Sequence, residues 1–389
     1  MNESDQTSSV TYARARLWLG ITGVGSLVTI ATLALVLDWP HRFFSARRTF
    51  GTREFSELML FVIGYATVMF PFDFLGGFWV PRKYARTKAS FSNWWRTYVP
   101  SVLGQGVFFL LLGTSLLMMS QLFGWLGTAL TIVGGFLVCL LIRRQIVAYH
   151  ESRSTQESLA LKKAKSVVSS WNIDLPEVTI ANHSDVGFTG GIIGSRKDAK
   201  IVIPQTWLKF STNVLAVAIA RRALAIQSGS YRRGWILALL WNAIGFAVCT
   251  LFSVTGLTTL AGLITTISAF TIWTFLGLLI LPTLSRSASL RVDHELGTLG
   301  VREDLIQRAA ANLDQKQDDE PVRPTLIEII FHPIPNVSSR NVSQPPSGYS
   351  AWNVARTTLF FSWAFLGFLS RSVHCNVGRP ELWTMLPSD

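Results

Sequence analysis

The chain has 389 residues, of which 49% are hydrophobic and only 15% charged, with a formal net charge of +12. Soluble domains carry roughly 25% charged residues, so this chain cannot cover a water-facing surface of its size. That balance excludes a soluble globular enzyme, a disordered chain and a fibrous one. In a membrane protein the positive charge reads as orientation and headgroup attraction. No nucleic-acid-binding motif accompanies it, so a nucleic-acid partner is not expected.

Residues 1–13 are polar and read as a disordered tail. Arg14 and Arg16 precede the first uncharged stretch, Leu17 to Leu37, which is longer than a signal-peptide core and reads as a retained helix. A second span covers about Leu58 to Val80 and contains Pro71 and Asp73. An acid at that depth is costly and suggests function. The competing reading is structural, because Asp73 lies near the span exit, next to a proline kink with freed backbone groups. Thr97 to Ile142 and Gly234 to Ser285 hold no Asp, Glu, Lys or Arg. Each is long enough for two crossings of about 20 residues, with turns expected near Gln121–Gly127 and Ser253–Thr259.

Six spans result. A further apolar run, Thr357 to Ser370, is too short to cross and reads as a helix in the interface or packed on the others. Arg82, Lys83, Arg86, Lys88 and Arg96 follow span two, and Arg143 and Arg144 follow span four. Basic residues favour the cytoplasmic side, which places both termini there; Arg42, Arg47, Arg48 and Arg53 disagree.

Between and after the spans lie two polar blocks, about 143–233 and 286–356. The first holds 14 Lys/Arg against 6 Asp/Glu, so it is expected against an anionic leaflet. Ser154 and Glu157 form a capping-box pattern opening a helix to about Trp171. Glu177–Ala181 and Ile201–Ile203 read as strands flanking the Gly-rich Gly187–Gly194, and a helix follows from Ser211 or Thr212 to Gly229. The expected organisation is a four-span region 1–142, a domain part 143–233, a membrane hairpin 234–285, a second domain part 286–356 and an interfacial C-terminal segment 357–389. Cys139, Cys249 and Cys375 lie far apart with no CxxC, so neither a disulfide framework nor a cysteine zinc site is indicated.

The order helix, strand pair, helix, membrane hairpin, helix resembles the membrane zinc endopeptidases of the HtpX and CAAX prenyl protease family. Val178 to Trp207 looks like that family's strand segment. Val217–Ile226 falls where its zinc-binding helix, A-V-L-A-H-E-L-G-H-I, belongs. Ser285 to Asp293 falls on its S-R-x-x-E-x-x-A-D motif, and His332-Pro333 with Arg340 is similar to its H-P-x-x-x-x-R motif. The resemblance covers about residues 150–345 and implies an α-helical polytopic membrane protein with a small α+β, gluzincin-like peptidase domain interrupted by a membrane hairpin.

The resemblance also implies which residues should do the chemistry. Two His at i and i+4 and a Glu from the later helix ligate zinc, and the Glu between the His activates water. At those positions stand Arg221, Arg222, Ala225 and Ser289. Arginine has no lone pair to offer, alanine has no donor, and a neutral serine is a poor ligand. No catalytic residue and no cofactor are therefore expected. Asp293, which in active relatives orients a zinc histidine, survives, and it is expected to face Arg221 or Arg222 as an ion pair replacing the metal. The alternative is that both arginines snorkel to water.

These residues lead to a membrane pseudopeptidase with a binding or regulatory role. Its partners would be the bilayer and a membrane protein or extended peptide, added as a strand at Gly190, Gly191 and Ile192. The alternative is an active zinc endopeptidase whose ligands are displaced to His183, His294 and His332. A second alternative is a transporter or channel using Asp73.

Overall fold

The computed structural model describes residues 11–150, 158–182, 187–194, 198–317, 327–328, 330, 332–337, 339–340 and 347–383. Helix α1 (Tyr12–Val36) starts at Thr11, whose hydroxyl accepts from the Arg14 amide at 3.2 Å. The short α2 (Trp39–Phe43) turns the chain into α3 (Thr52–Phe74), where the Glu54 carboxylate accepts from the Gly51 amide at 3.0 Å and closes the helix start. Pro71 lies inside α3, and past it the helix widens into a π-turn, Leu75–Trp79, before α4 (Val80–Lys83).

Helix α5 (Phe91–His150) is one run of 60 residues with a break at Gly124, which takes φ 57°, ψ −136°. That conformation needs glycine, and it reverses the chain. A Cβ on Gly135 would meet Leu112 and one on Gly127 would meet the Met119 carbonyl, so the two halves pack as an antiparallel hairpin. The turn falls within the predicted Gln121–Gly127. The second hairpin joins α8 (Ser230–Thr250) to α9 (Leu260–Thr298) through the predicted Ser253–Thr259 turn. Five helices among the described residues are long and apolar enough to cross a membrane; with α5 folded in two, six crossings result.

The ends of the crossings sort into two sets. Ser45 accepts from the Ala261 amide at 3.1 Å and Thr258 from Gln121 Nε2 at 2.9 Å, so the loop after α1 and both hairpin tips meet at one end. At the other end Arg86 donates to the carbonyls of Gln315 and Lys316 at the close of α10 (Glu303–Gln317). The basic Arg42–Arg53 loop lies at the end away from the domain, where Glu54 and Glu57 bond Ser45, and Glu57 pairs with Arg53 at 2.8 Å.

The domain is built from α6 (Leu159–Ser170), strands β1 (Glu177–Ala181), β2 (Gly191–Ile193) and β3 (Lys200–Pro204), α7 (Thr212–Gln227) and the last turns of α9 with α10. Sheet order is β1-β3-β2, with β1 parallel and β2 antiparallel to β3. Only β1 and β3 were legible as strands. Every residue of α7 from Val214 to Ala225 is buried, the mark of a helix walled in on all sides.

Two boundaries differ from expectation. No break separates membrane from domain at 142 or 285, because α5 and α9 run through both points. Of the two readings of the C-terminal apolar run, packing on the other helices is the one that its contacts match. All residues from Val354 to Val373 are buried, in α11 (Val354–Phe361) and short 3-10 turns packed on α5, α8 and α9. The reason is polar: Asn242 donates to Thr358 O at 3.0 Å, Tyr65 to Phe368 O at 2.9 Å, and Ser285 accepts from the Ala355 amide at 3.2 Å. Irregular backbone at membrane depth is tolerated where protein surrounds it.

Candidate functional site

Asp293 on α9 and Arg221 on α7 meet at the centre of the domain. The two acidic oxygens of Asp293 are divided between two cations. Arg221 Nε donates to Oδ1 at 2.7 Å, and Arg340 Nη1 binds Oδ2. Arg221 Nη2 also donates to Ser289 Oγ at 2.6 Å, one helical turn before Asp293, and Arg340 Nη2 to Pro335 O at 3.1 Å. All three charged side chains are at most 3% exposed. The Arg221 guanidinium lies 5.7 Å from the Trp352 ring centre.

Arg222 points the opposite way, into the sheet. Its Nη1 donates to Val202 O on β3 at 2.8 Å and its Nη2 to Thr189 O at 2.5 Å, and the guanidinium lies 4.7 Å from the Trp207 ring centre. Neither arginine snorkels to water. One of them cross-links α7 to α9, the other α7 to the sheet. Ala225, fully buried one turn after Arg221, presents a methyl group.

The donor set does not suit a divalent cation. Its carboxylate is already shared by two guanidinium groups, and the remaining groups at 221, 222, 225 and 289 are two cations, a methyl and a hydroxyl. Among the described residues, no three His, Cys, Asp or Glu side chains converge in a metal-holding group. His332 is buried, its ring 5.2 Å from that of His374, while His294 is half-buried beside Asp293. His183 lies outside the described residues.

Gly190, Gly191 and Ile192 are buried rather than open. Gly190 takes φ +73°, and a Cβ there would collide with the Val202 carbonyl, so glycine is required by the turn into β2. Ile192 O, on the outer edge of β2, accepts from Arg143 Nη2 at 3.0 Å and Tyr231 Oη at 3.2 Å. A peptide adding to that edge has to displace both.

Asp73 is fully buried and occupied. Arg371 Nε donates to its Oδ2 at 2.7 Å, Tyr98 Oη lies 3.4 Å from the same oxygen, and the Gly378 amide donates to Oδ1 at 2.8 Å. The acid fastens the C-terminal segment to α3. Arg340 is the member of the domain cluster that sequence spacing did not place: it was visible as part of a motif, but nothing in the order of residues brings it to Asp293.

A bundle of six crossings carries a small helix–sheet domain whose two parts are joined by a membrane hairpin. No protein-family model and no curated protein matches the sequence. The fold does match a solved structure: the crystal structure of S. mikatae Ste24p aligns with a TM-score of 0.67 over 85% of this chain and 86% of that one, at 15% sequence identity. The chain shares the Ste24p fold.

Proposed function

We propose that this protein is a pseudopeptidase: a membrane-embedded peptidase scaffold whose metal position is filled by an Arg221–Asp293–Arg340 cluster. The observation that carries the reading is the 2.7 Å pair between Arg221 and Asp293, with Arg340 on the second carboxylate oxygen, all buried. In a zinc peptidase of this scaffold the same place needs electron-pair donors and a water-filled position beside them. Here permanent cations and their shared carboxylate occupy it, so the cluster joins two helices and activates no water. The domain then serves binding or regulation at the membrane. In this reading the domain and both termini face the cytoplasm, following the basic residues after α3 and α5.

Metal analysis of detergent-purified protein incubated with excess zinc tests the proposal, together with cleavage of an unfolded protein substrate with and without chelator. Substoichiometric zinc and no chelator-sensitive cleavage support it. One zinc per chain, with cleavage lost on replacing His294 or His332, establishes instead the active endopeptidase with displaced ligands.

A further inference from the structure

Another buried arginine lies where the bundle meets the domain. Arg143, near the end of α5, is 7% exposed, and Nη2 gives its single hydrogen bond, to Ile192 O. Its guanidinium faces the Phe360 ring at 5.4 Å. Nε and Nη1 are buried and have no hydrogen-bond partner among the described residues. A buried cation with two unbonded donors is costly unless an anion completes it.

Arg143 lines a cavity of about 850 Å³ together with Arg144, Lys200, Glu177, Asp198 and the apolar Trp235, among others. Lys200 is paired with Glu177 at 2.8 Å, which leaves Arg143, Arg144 and Asp198 as the other charged groups among the described lining residues. Arg144 is exposed beside it. The cavity sits at the last turns of a spanning helix, on the same end as the domain, and its wall changes there from apolar Leu140 and Trp235 to charged residues. Apolar wall below and a guanidinium with spare donors above fit a molecule with an acyl chain and an anionic head.

We propose that this cavity binds the phosphate of an anionic phospholipid, with the Arg143 guanidinium as its principal partner and Arg144 as the entry charge. Guanidinium groups suit phosphate because their donors lie in one plane, and basic pockets at this level of a bundle attract anionic headgroups. The proposal is independent of whether the domain cleaves, because no residue of the Asp293 cluster takes part.

The test is native mass spectrometry of the full chain delipidated in detergent, titrated separately with phosphatidylglycerol, phosphatidylcholine and inorganic phosphate. Wild type is expected to prefer phosphatidylglycerol over phosphatidylcholine by roughly tenfold or more, and Arg143→Gln to lose most of that preference. Arg144→Gln is exposed and safe for folding; it is expected to lower the preference about fivefold, so the assignment remains testable if Arg143→Gln does not fold. Equal binding of the two lipids overturns the proposal, as does a preference that survives in both variants. Saturation by millimolar inorganic phosphate with no lipid preference overturns the lipid assignment.

Discussion

Arg371 and Asp73 stand 298 residues apart in sequence and meet inside the bundle, with Nε 2.7 Å from Oδ2 and both side chains at most 1% exposed. Tyr98 and Gln105 complete the arginine at 2.8 and 3.2 Å. This is a buried ion pair with nearly every lone pair used. Removing one member of such a pair leaves an uncompensated charge and costs about 3–5 kcal/mol. Asp73→Ala is therefore expected to lower the melting temperature in detergent sharply and to expose the C-terminal segment to protease. The double variant Asp73→Leu, Arg371→Met should recover most of that loss, since apolar replacement of both partners is often neutral. A flux across liposomes that Asp73→Asn abolishes while the melting temperature holds is the result that favours a transport role instead.

Why the sequence showed some of this and not the rest follows from range. The two hairpins were legible because uncharged runs twice the bilayer length must turn, and Gly124 and the Ser253–Thr259 segment supply the turn. Strands β1 and β3 were legible from β-branched runs. Strand β2 was not: three residues, Gly191–Ile193, give no period to read. For the C-terminal run, length alone left two readings open, because 14 apolar residues are too few to span and can lie in the interface or pack on the other helices. Its Thr357, Thr358, Ser362, Ser370 and Arg371 were the signal for packing, since polar groups spaced through an apolar run need protein partners. In the domain, Arg221 and Asp293 were matched through motif positions. Arg340 needed the tertiary fold, because its motif position carries no sign that it reaches Asp293.

The Asp293 cluster makes an ordered set of stabilities. Asp293→Ala leaves Arg221 and Arg340 facing each other in a buried site and is expected to cost about 3–5 kcal/mol. Arg340→Ala keeps the Arg221 pair and the Ser289 bond intact, so its cost should be smaller, about 1–3 kcal/mol. Chemical denaturation followed by domain tryptophan fluorescence gives the ranking. Equal costs for the two variants mean that the carboxylate does not couple the arginines.

The scaffold itself can be tested by giving it back its donors. Arg221→His, Arg222→Glu, Ala225→His and Ser289→Glu together rebuild a two-histidine, one-glutamate ligand set with a general base, at positions where α7 and α9 already face each other through the 2.7 Å Arg221–Asp293 pair. The quadruple variant is expected to bind about one zinc per chain and to gain about 2.7 kcal/mol of stability at a hundredfold excess over Kd. Wild type should show no such gain. A folded variant that ignores zinc argues that the two helices are not aligned as in a metal peptidase.

The first helix carries the last prediction, through two glycines one face apart. Arg16 is 2% exposed and spends its guanidinium on backbone carbonyls of the π-turn, Gly76 O at 2.6 Å, and of the C-terminal segment, His374 O at 2.6 and 3.0 Å and Val377 O at 3.1 Å. Such reach requires α1 to lie directly against residues 372–377. Gly20, one turn later, supplies the room, since a Cβ there would stand 2.5 Å from the His374 amide nitrogen. Gly25 on the same helix has nothing within 4 Å of its Cβ position. Gly20→Ala must therefore push the C-terminal segment away and weaken the Arg16 bonds, at a cost of about 1–3 kcal/mol. Gly25→Ala adds a methyl in open space and should change stability by no more than about 1 kcal/mol, in the favourable direction if at all. Thermal unfolding of the two variants side by side separates them. Equal melting temperatures would mean that α1 does not clasp the C-terminal segment, and that Arg16 is the flanking charge its place in the sequence first suggests.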